Sequence, residues 1–347
     1  MKTVLPFAAA LLLTFCTASA QSLDLAPGGY GLSIGNSKRL TGIRLNLIDS
    51  KVERITGLNL TLWNPKKNPQ AAYNGIVLGA IGTKARTING LALSGIGINA
   101  RESITGIAAG GLGVGTRRLD GLALGLGLVD VEERIRGIAI AGIWTGECNQ
   151  LHGIALSPIG AIADTVRGLT IGGLLAGGGS RLTGVALSLG FSFSSRVRGV
   201  EIGGIAAGGG DLKGVVFGGL FAGAEKMDGI TLSLGGVGAE KHLRGIALGG
   251  LGVGAEGKIR GVAIGTAVVF ARDVQGIAAG IFNGFIIDRI DLEDFLHFKY
   301  INDRFTGLSI GLINYTRHLR GVQFGLVNYA ENNPKWLRLL PIINVHL

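Results

Sequence analysis

The chain has 347 residues, 62 of them Gly, which is more than twice the ordinary Gly share of about 7%. Charged residues make up 16% and aromatics 6% against 47% hydrophobic; this excludes a charged disordered tail, and the scarcity of Pro with no Gly-X-Y period excludes collagen. The formal net charge of +10 favours anionic partners such as lipid headgroups or acidic glycans.

In chain order, residues 1–20 read as a secretory signal: Lys2 is the basic start, Val4 to Phe15 the apolar run, and Ala18-Ser19-Ala20 the small-x-small cleavage site. A lipoprotein site at Cys16 is disfavoured by the bulky Phe15 before it. Cleavage leaves Cys148 as the sole cysteine, so no internal disulfide holds the exported chain and its stability must come from packing. No later apolar run reaches the about 18 residues of a spanning helix, a test that says nothing against a β-barrel. Residues 21–39 form a lead-in or cap.

From residue 40 a repeat takes over. Gly recurs at 42, 57, 75, 90, 106, 121, 137, 153, 168, 184, 199, 214, 229, 245, 261 and 276, then at 307 and 321, in steps of mostly 15 or 16. Numbering each repeat from this marker Gly, an apolar residue stands at −2 (Leu40, Ile55, Leu119, Leu243) and a polar one at −1. Aliphatics follow at +1 and +3 (Ile43 and Leu45, Leu122 and Leu124, Ile246 and Leu248) and usually at +6 (Leu112, Ile205, Leu251). Taking −2, +1, +3, +6 and often +8 as the inward set, the steps of 3 and 2 fit neither a helix nor one long strand. They fit short strands joined by corners, with Gly at +4 supplying backbone freedom. The expected fold is therefore all-β, a repetitive parallel β-solenoid or β-roll with coils of 15–16 residues. The alternative is a transmembrane up-and-down β-barrel, supported by the clean alternation of Gly121 to Val129 and Val185 to Phe193 but opposed by uniform turns and few aromatics.

The organisation expected on this reading is 40–284 as Gly-rich repeats, 285–304 as a degenerate repeat or acidic insertion, 305–331 as the last two Asn-containing repeats, and 332–347 as a C-terminal cap. Within that cap Trp336, Leu337, Leu339, Leu340 and Ile342 are expected to cover the last coil. The units Gly307-Leu-Ser-Ile-Gly-Leu-Ile-Asn-Tyr315 and Gly321-Val-Gln-Phe-Gly-Leu-Val-Asn-Tyr329 resemble the G-[LV]-x-[IF]-G-L-[IV]-N repeat of bacterial surface-repeat proteins of the leptospiral type. That resemblance is close over residues 305–347 and looser over 40–283. It implies an exported, envelope-associated protein without assigned chemistry. Middle units such as Gly261-Val-Ala-Ile-Gly resemble, more weakly, the β-rolls of trimeric adhesin heads. The Asn residues at +7, with Asn64 and Asn283 as earlier examples, are read as structural, bonding their own backbone or their counterpart one coil away.

Chemistry-bearing patterns are sparse. G-x-G-x-x-G strings arise by chance in so Gly-rich a chain, and the approach to a phosphate loop at Gly252 to Lys258 is in phase with the repeat and lacks the following Ser or Thr. His152, His242, His297, His318 and His346 have no zinc-ligand spacing. Asp288, Asp291, Glu293, Asp294 and His297 stand among Phe295, Phe298 and Tyr300; a capping or protruding insertion is the main reading and a divalent-cation site the lesser one. Basic residues recur at −1: Arg136, Arg167, Arg198, Lys213, Arg244, Arg260 and Arg320. In a solenoid they stack into a column, either a solvated face that discourages aggregation or a stripe for anionic glycan or lipid headgroups. The function expected is an exported structural or surface-interaction repeat protein of the bacterial cell envelope, at the cell surface, outer membrane or periplasm. It is expected to use no catalytic residues, cofactor or metal and no nucleic-acid partner; the alternative is an outer-membrane β-barrel pore.

Overall fold

The computed structural model describes residues 22–66, 68–289 and 297–347. The signal at residues 1–20 and the acidic Asp291, Glu293 and Asp294 lie outside the described residues. The chain divides into two units, one ending at Cys148 and one beginning at Asn149, and each is a parallel β-solenoid with one repeat per coil. In the first unit Gly31, Gly42, Gly57, Gly75, Gly90, Gly106, Gly121 and Gly137 stand opposite one another in successive parallel strands. In the second, the same column runs from Gly168 through Gly184, Gly199, Gly214, Gly229, Gly245, Gly261, Gly276 and Gly307 to Gly321.

This parallel register overturns the up-and-down barrel, whose neighbours must run antiparallel. The alternating segments cited for it are each interrupted by a two-residue bend, Leu126–Gly127 in one and Leu189–Gly190 in the other. A typical coil is a strand of 13 or 14 residues, such as Phe191–Gly203 or Gly236–Gly249, followed by such a bend. The bends stack as the strands do, with the Leu220 amide donating to the Ile205 carbonyl at 2.8 Å and Leu251 to Gly235 at 2.8 Å. The difference between 15 and 16 residues is absorbed at one corner, about eleven residues after the marker. Register shifts fall there between Ala100 and Ser103, Ala163 and Thr165, and Ala255 and Lys258. A bulge that takes up the odd residue keeps every other column aligned.

The marker glycines are obligatory for a local reason. All eighteen have φ between 110° and 144°, where side chains are strained, and a Cβ on any of the inner ones would run into the marker carbonyl oxygen of the preceding coil. At +4 the reason differs from the expectation. Gly203 and Gly218 do not adopt positive φ; a Cβ there would strike the carbonyl of Ala206 or Phe221 across the bend.

The inward set also differs. Residues −2, +2, +4, +8 and +10 point into the coil, as in Leu212, Val216, Gly218, Ala222 and Ala224, while Val215 and Phe217 are half-buried and Leu220 is exposed. The strand runs through the marker without changing parity, so the outward −1 residue carries +1 and +3 outward with it. The bore is narrow. It holds one large aliphatic at −2 (Ile104, Leu119, Leu182, Leu243), a mostly small residue at +2 (Ala92, Ala123, Ala186, Ala247), a small or β-branched one at +8 (Ala161, Ala207, Ile98, Val114, Val253) and a mostly small one at +10 (Ala100, Ala163, Ala255), all essentially without exposure. Each −2 side chain contributes about 1.5–3 kcal/mol of burial.

Both ends are closed by antiparallel strands. Leu23–Leu25 pairs with Tyr30–Ile34, and Leu339–His346 pairs with His318–Ala330. The C-terminal closure is by backbone: Trp336, Leu339 and Ile342 are exposed, and Asn344 and Asn333 are the buried side chains of that segment. Gly276 pairs directly with Gly307, so no degenerate coil separates them. Ile277–Ala279 and Phe282–Asn283 stay in the parallel ladder, and the antiparallel pair Phe285–Arg289 and His297–Tyr300 stands outside it.

Candidate functional surface

Six of the seven basic −1 residues fall in the second unit and share one outward column. Its order is Arg167, Thr183, Arg198, Lys213, Asp228, Arg244, Arg260, Gln275, Thr306, Arg320. Arg136 belongs to the first unit, where it ends a column of Thr56, Asn74, Asn89, Thr105 and Asp120. All seven are exposed and none makes an ion pair among the described residues. The acids nearby face other basic side chains: Lys226 stands 3.7 Å from Asp211 and Lys258 3.8 Å from Asp273, and the His242 ring lies 3.6 Å from Asp228. The column therefore keeps its positive charge.

Next to it, across the glycine column, lie the outward +1 and +3 aliphatics. None of them is buried; Ile230, Ile246, Ile264 and Ile277 are each about two-fifths exposed even though stacked neighbours cover their flanks. Beyond them the bends carry a ridge of leucines, with Leu126 at 80%, Leu189 at 81% and Leu234 at 72% exposure. Positions +1 to +7 of all eighteen repeats contain only three charged residues, Arg44, Asp49 and Glu201, and all three are buried. Each unit thus presents an outer arc that is aliphatic and free of exposed charge. A monomer seldom leaves more than a few hundred Å² of such surface uncovered. The pattern was readable in the sequence, but with +1 and +3 placed inside it looked like core.

Past the bends in the second unit is a trough of about 1210 Å³ lined by Gly236, Gly238, Gly252, Phe221 and Phe270. Glu225, Glu240 and Glu256 line it as well; each stands three or four residues before the next −1 residue, Asp228, Arg244 and Arg260, and Glu225 pairs with Lys241 at 2.6 Å.

Three buried polar groups complete the account. At the start of the first unit, Arg44 donates to Asp49 at 2.6 Å, Asn59 at 2.7 Å and Asn36 at 2.8 Å, and Asp49 also accepts from the Tyr73 hydroxyl at 2.7 Å and Thr61 at 2.9 Å. Burial works to raise the Asp49 pKa, but the Arg44 charge and the hydrogen bonds from Asn46, Tyr73 and Thr61 outweigh it and hold the carboxyl below its ordinary value. In the second unit Glu201 points inward at +2, accepting from Ser192 and Ser194 at 3.1 Å each through one oxygen, while the other has no partner. Burial pushes its pKa up to about 7, against a smaller lowering by the two serines. Near the C-terminus Asn283, Asn314 and Asn328 form an internal ladder, each amide passing to the next carbonyl oxygen at 2.7 Å; Asn64 is exposed and stands apart.

The phosphate-loop-like Gly252 to Lys258 lies inside the strand Gly252–Gly265 and forms no loop. No cluster of three or more His, Cys, Asp or Glu suited to a metal occurs among the described residues. No protein family, curated protein or solved structure matches the chain.

Proposed function

We propose that the protein is an exported, non-catalytic structural and surface-interaction component of the bacterial cell envelope, built to repeat one outer face coil after coil. The observation that carries this reading is the uncovered aliphatic arc: the bore is already filled by a large side chain at −2 with small or β-branched ones beside it, yet the outside keeps two or three aliphatics per coil in register. An outer face of this kind is a contact surface for a partner. The secretory pattern of residues 1–20 and the likeness of residues 305–347 to surface-repeat proteins support the address, and the basic columns support anionic glycans, lipid headgroups or other envelope proteins as partners. Fractionating producing cells tests it, with N-terminal sequencing of the recovered protein. The expected result is a chain beginning at Gln21 in the envelope or medium; a chain retaining residues 1–20 in the cytoplasm would overturn the reading.

A further inference from the structure

We infer that the occupant of the aliphatic arc in the second unit is an anionic lipid bilayer, against which the solenoid lies flat without spanning it. The inference rests on the envelope reading and names the partner of the same surface. The arc offers acyl chains what they can accept. From the marker Gly to +7 its outward positions hold Ile, Leu, Val, Phe, Gly and Ala with Pro158 and Thr266, and no charge. Most backbone groups beneath are bonded coil to coil, so the arc presents few free amides to a medium that cannot solvate them.

Leu189, Leu234 and Leu251, among the most exposed side chains of the arc, stand on the bends. With coils about 4.8 Å apart, the eleven coils from Gly153 to Gly321 make an arc on the order of 50 Å long. This is the amphipathic arrangement of an interfacial segment, carried on a sheet instead of a helix.

Charge complementarity selects the lipid. Arg198, Lys213, Arg244 and Arg260 border the arc two residues before the first aliphatic column and make no ion pairs among the described residues, so they sit where headgroup phosphates would meet the protein. Glu225, Glu240 and Glu256 lie outside the arc, eleven residues after their marker glycines.

The test is flotation of the purified protein with vesicles of phosphatidylcholine alone and of phosphatidylcholine mixed with phosphatidylglycerol. The unaltered protein should float with the anionic vesicles, and rising salt should release it. Replacing Arg198, Lys213, Arg244 and Arg260 with Ser should weaken partition on the order of a hundredfold or more. Replacing Leu189, Leu234 and Leu251 with Ser should weaken it on the order of a hundredfold as well, with circular dichroism showing the fold retained because these side chains are outside the core.

Salt-insensitive binding or no flotation of the unaltered protein overturns the inference whatever the variants do. Loss in the charge variant with full binding in the leucine variant would make the site a general polyanion stripe, and self-association of the unaltered protein without vesicle binding would make the occupant a second copy; either result refutes the bilayer. Envelope fractionation that succeeds while flotation fails would leave the envelope reading standing and this one refuted.

Discussion

Glu201 makes the second unit sensitive to pH in a direction opposite to that of most carboxylates. Its carboxyl is inside the bore with no cation, and burial raises its pKa from 4.5 to about 7. The folded protein therefore keeps a proton that the unfolded chain releases between those values. Stability contributed by the site is fully present below pH 4.5, falls as pH rises through that window and is level above about 7. At about 1.4 kcal/mol for each pKa unit, the loss is about 3 kcal/mol. Glu201→Gln keeps the shape, cannot ionise and retains a carbonyl oxygen for Ser192 and Ser194. Urea unfolding followed by circular dichroism between pH 4.5 and 8 is the assay, with hydrogen exchange at Ser192, Ser194 and Val216 as the local reading. Other titrating groups cancel in the difference between the two proteins, which should be small at pH 4.5 and favour Glu201→Gln by about 3 kcal/mol at pH 8. A difference that does not change with pH would refute the claim that Glu201 is held neutral in the fold.

Gly214→Ala should be among the most damaging exposed-strand substitutions, because it places a Cβ against the Gly199 carbonyl at φ 132°; about 3 kcal/mol in a urea melt is expected. Asp49→Ala leaves the Arg44 guanidinium buried without its counter-ion and should cost about 3–5 kcal/mol; in the unaltered protein the Asp49 contribution is present above its unfolded pKa and lost as pH falls through its lowered folded value, readable as acid destabilisation absent from the variant. Asn314→Ala breaks both links of the Asn ladder and should cost about 2 kcal/mol, with a double-mutant cycle against Asn328→Ala showing strong non-additivity. Ile342 has φ 68° with its side chain in solvent, so Ile342→Gly should raise the urea midpoint by a gain of about 1 kcal/mol.

Much of the architecture was legible in the residues. The marker Gly spacing located every coil but the first, where Gly31 is only eleven residues from Gly42 and so falls outside the period. The Asn residues at 283, 314 and 328 announced a ladder because a side-chain amide can both give and accept along a stack. The basic column was predicted from the same register. The Arg44 and Asp49 pair was not, since an Arg at +2 looks like a surface residue until the strand parity is known. Glu201 was missed for the same reason. The 31-residue step from Gly276 to Gly307 matched two periods, and only the direct pairing of the two glycines shows that the chain leaves the ladder and returns.

The sequence by itself determined the repeat and its length, because a position that only Gly can fill recurs every 15 or 16 residues; the parallel register that excludes the antiparallel barrel came from the structure. The tertiary structure decided which side of the strand is inside. Aliphatics at +1 and +3 and a small residue at +2 are compatible with either parity, and hydrophobicity alone assigns the larger side chains to the core. The bore of a 15-residue coil is too narrow for them. It takes a large side chain at −2, small or β-branched ones at +8 and mostly small ones at +2 and +10, and the displaced aliphatics become the outer face on which the proposed function rests.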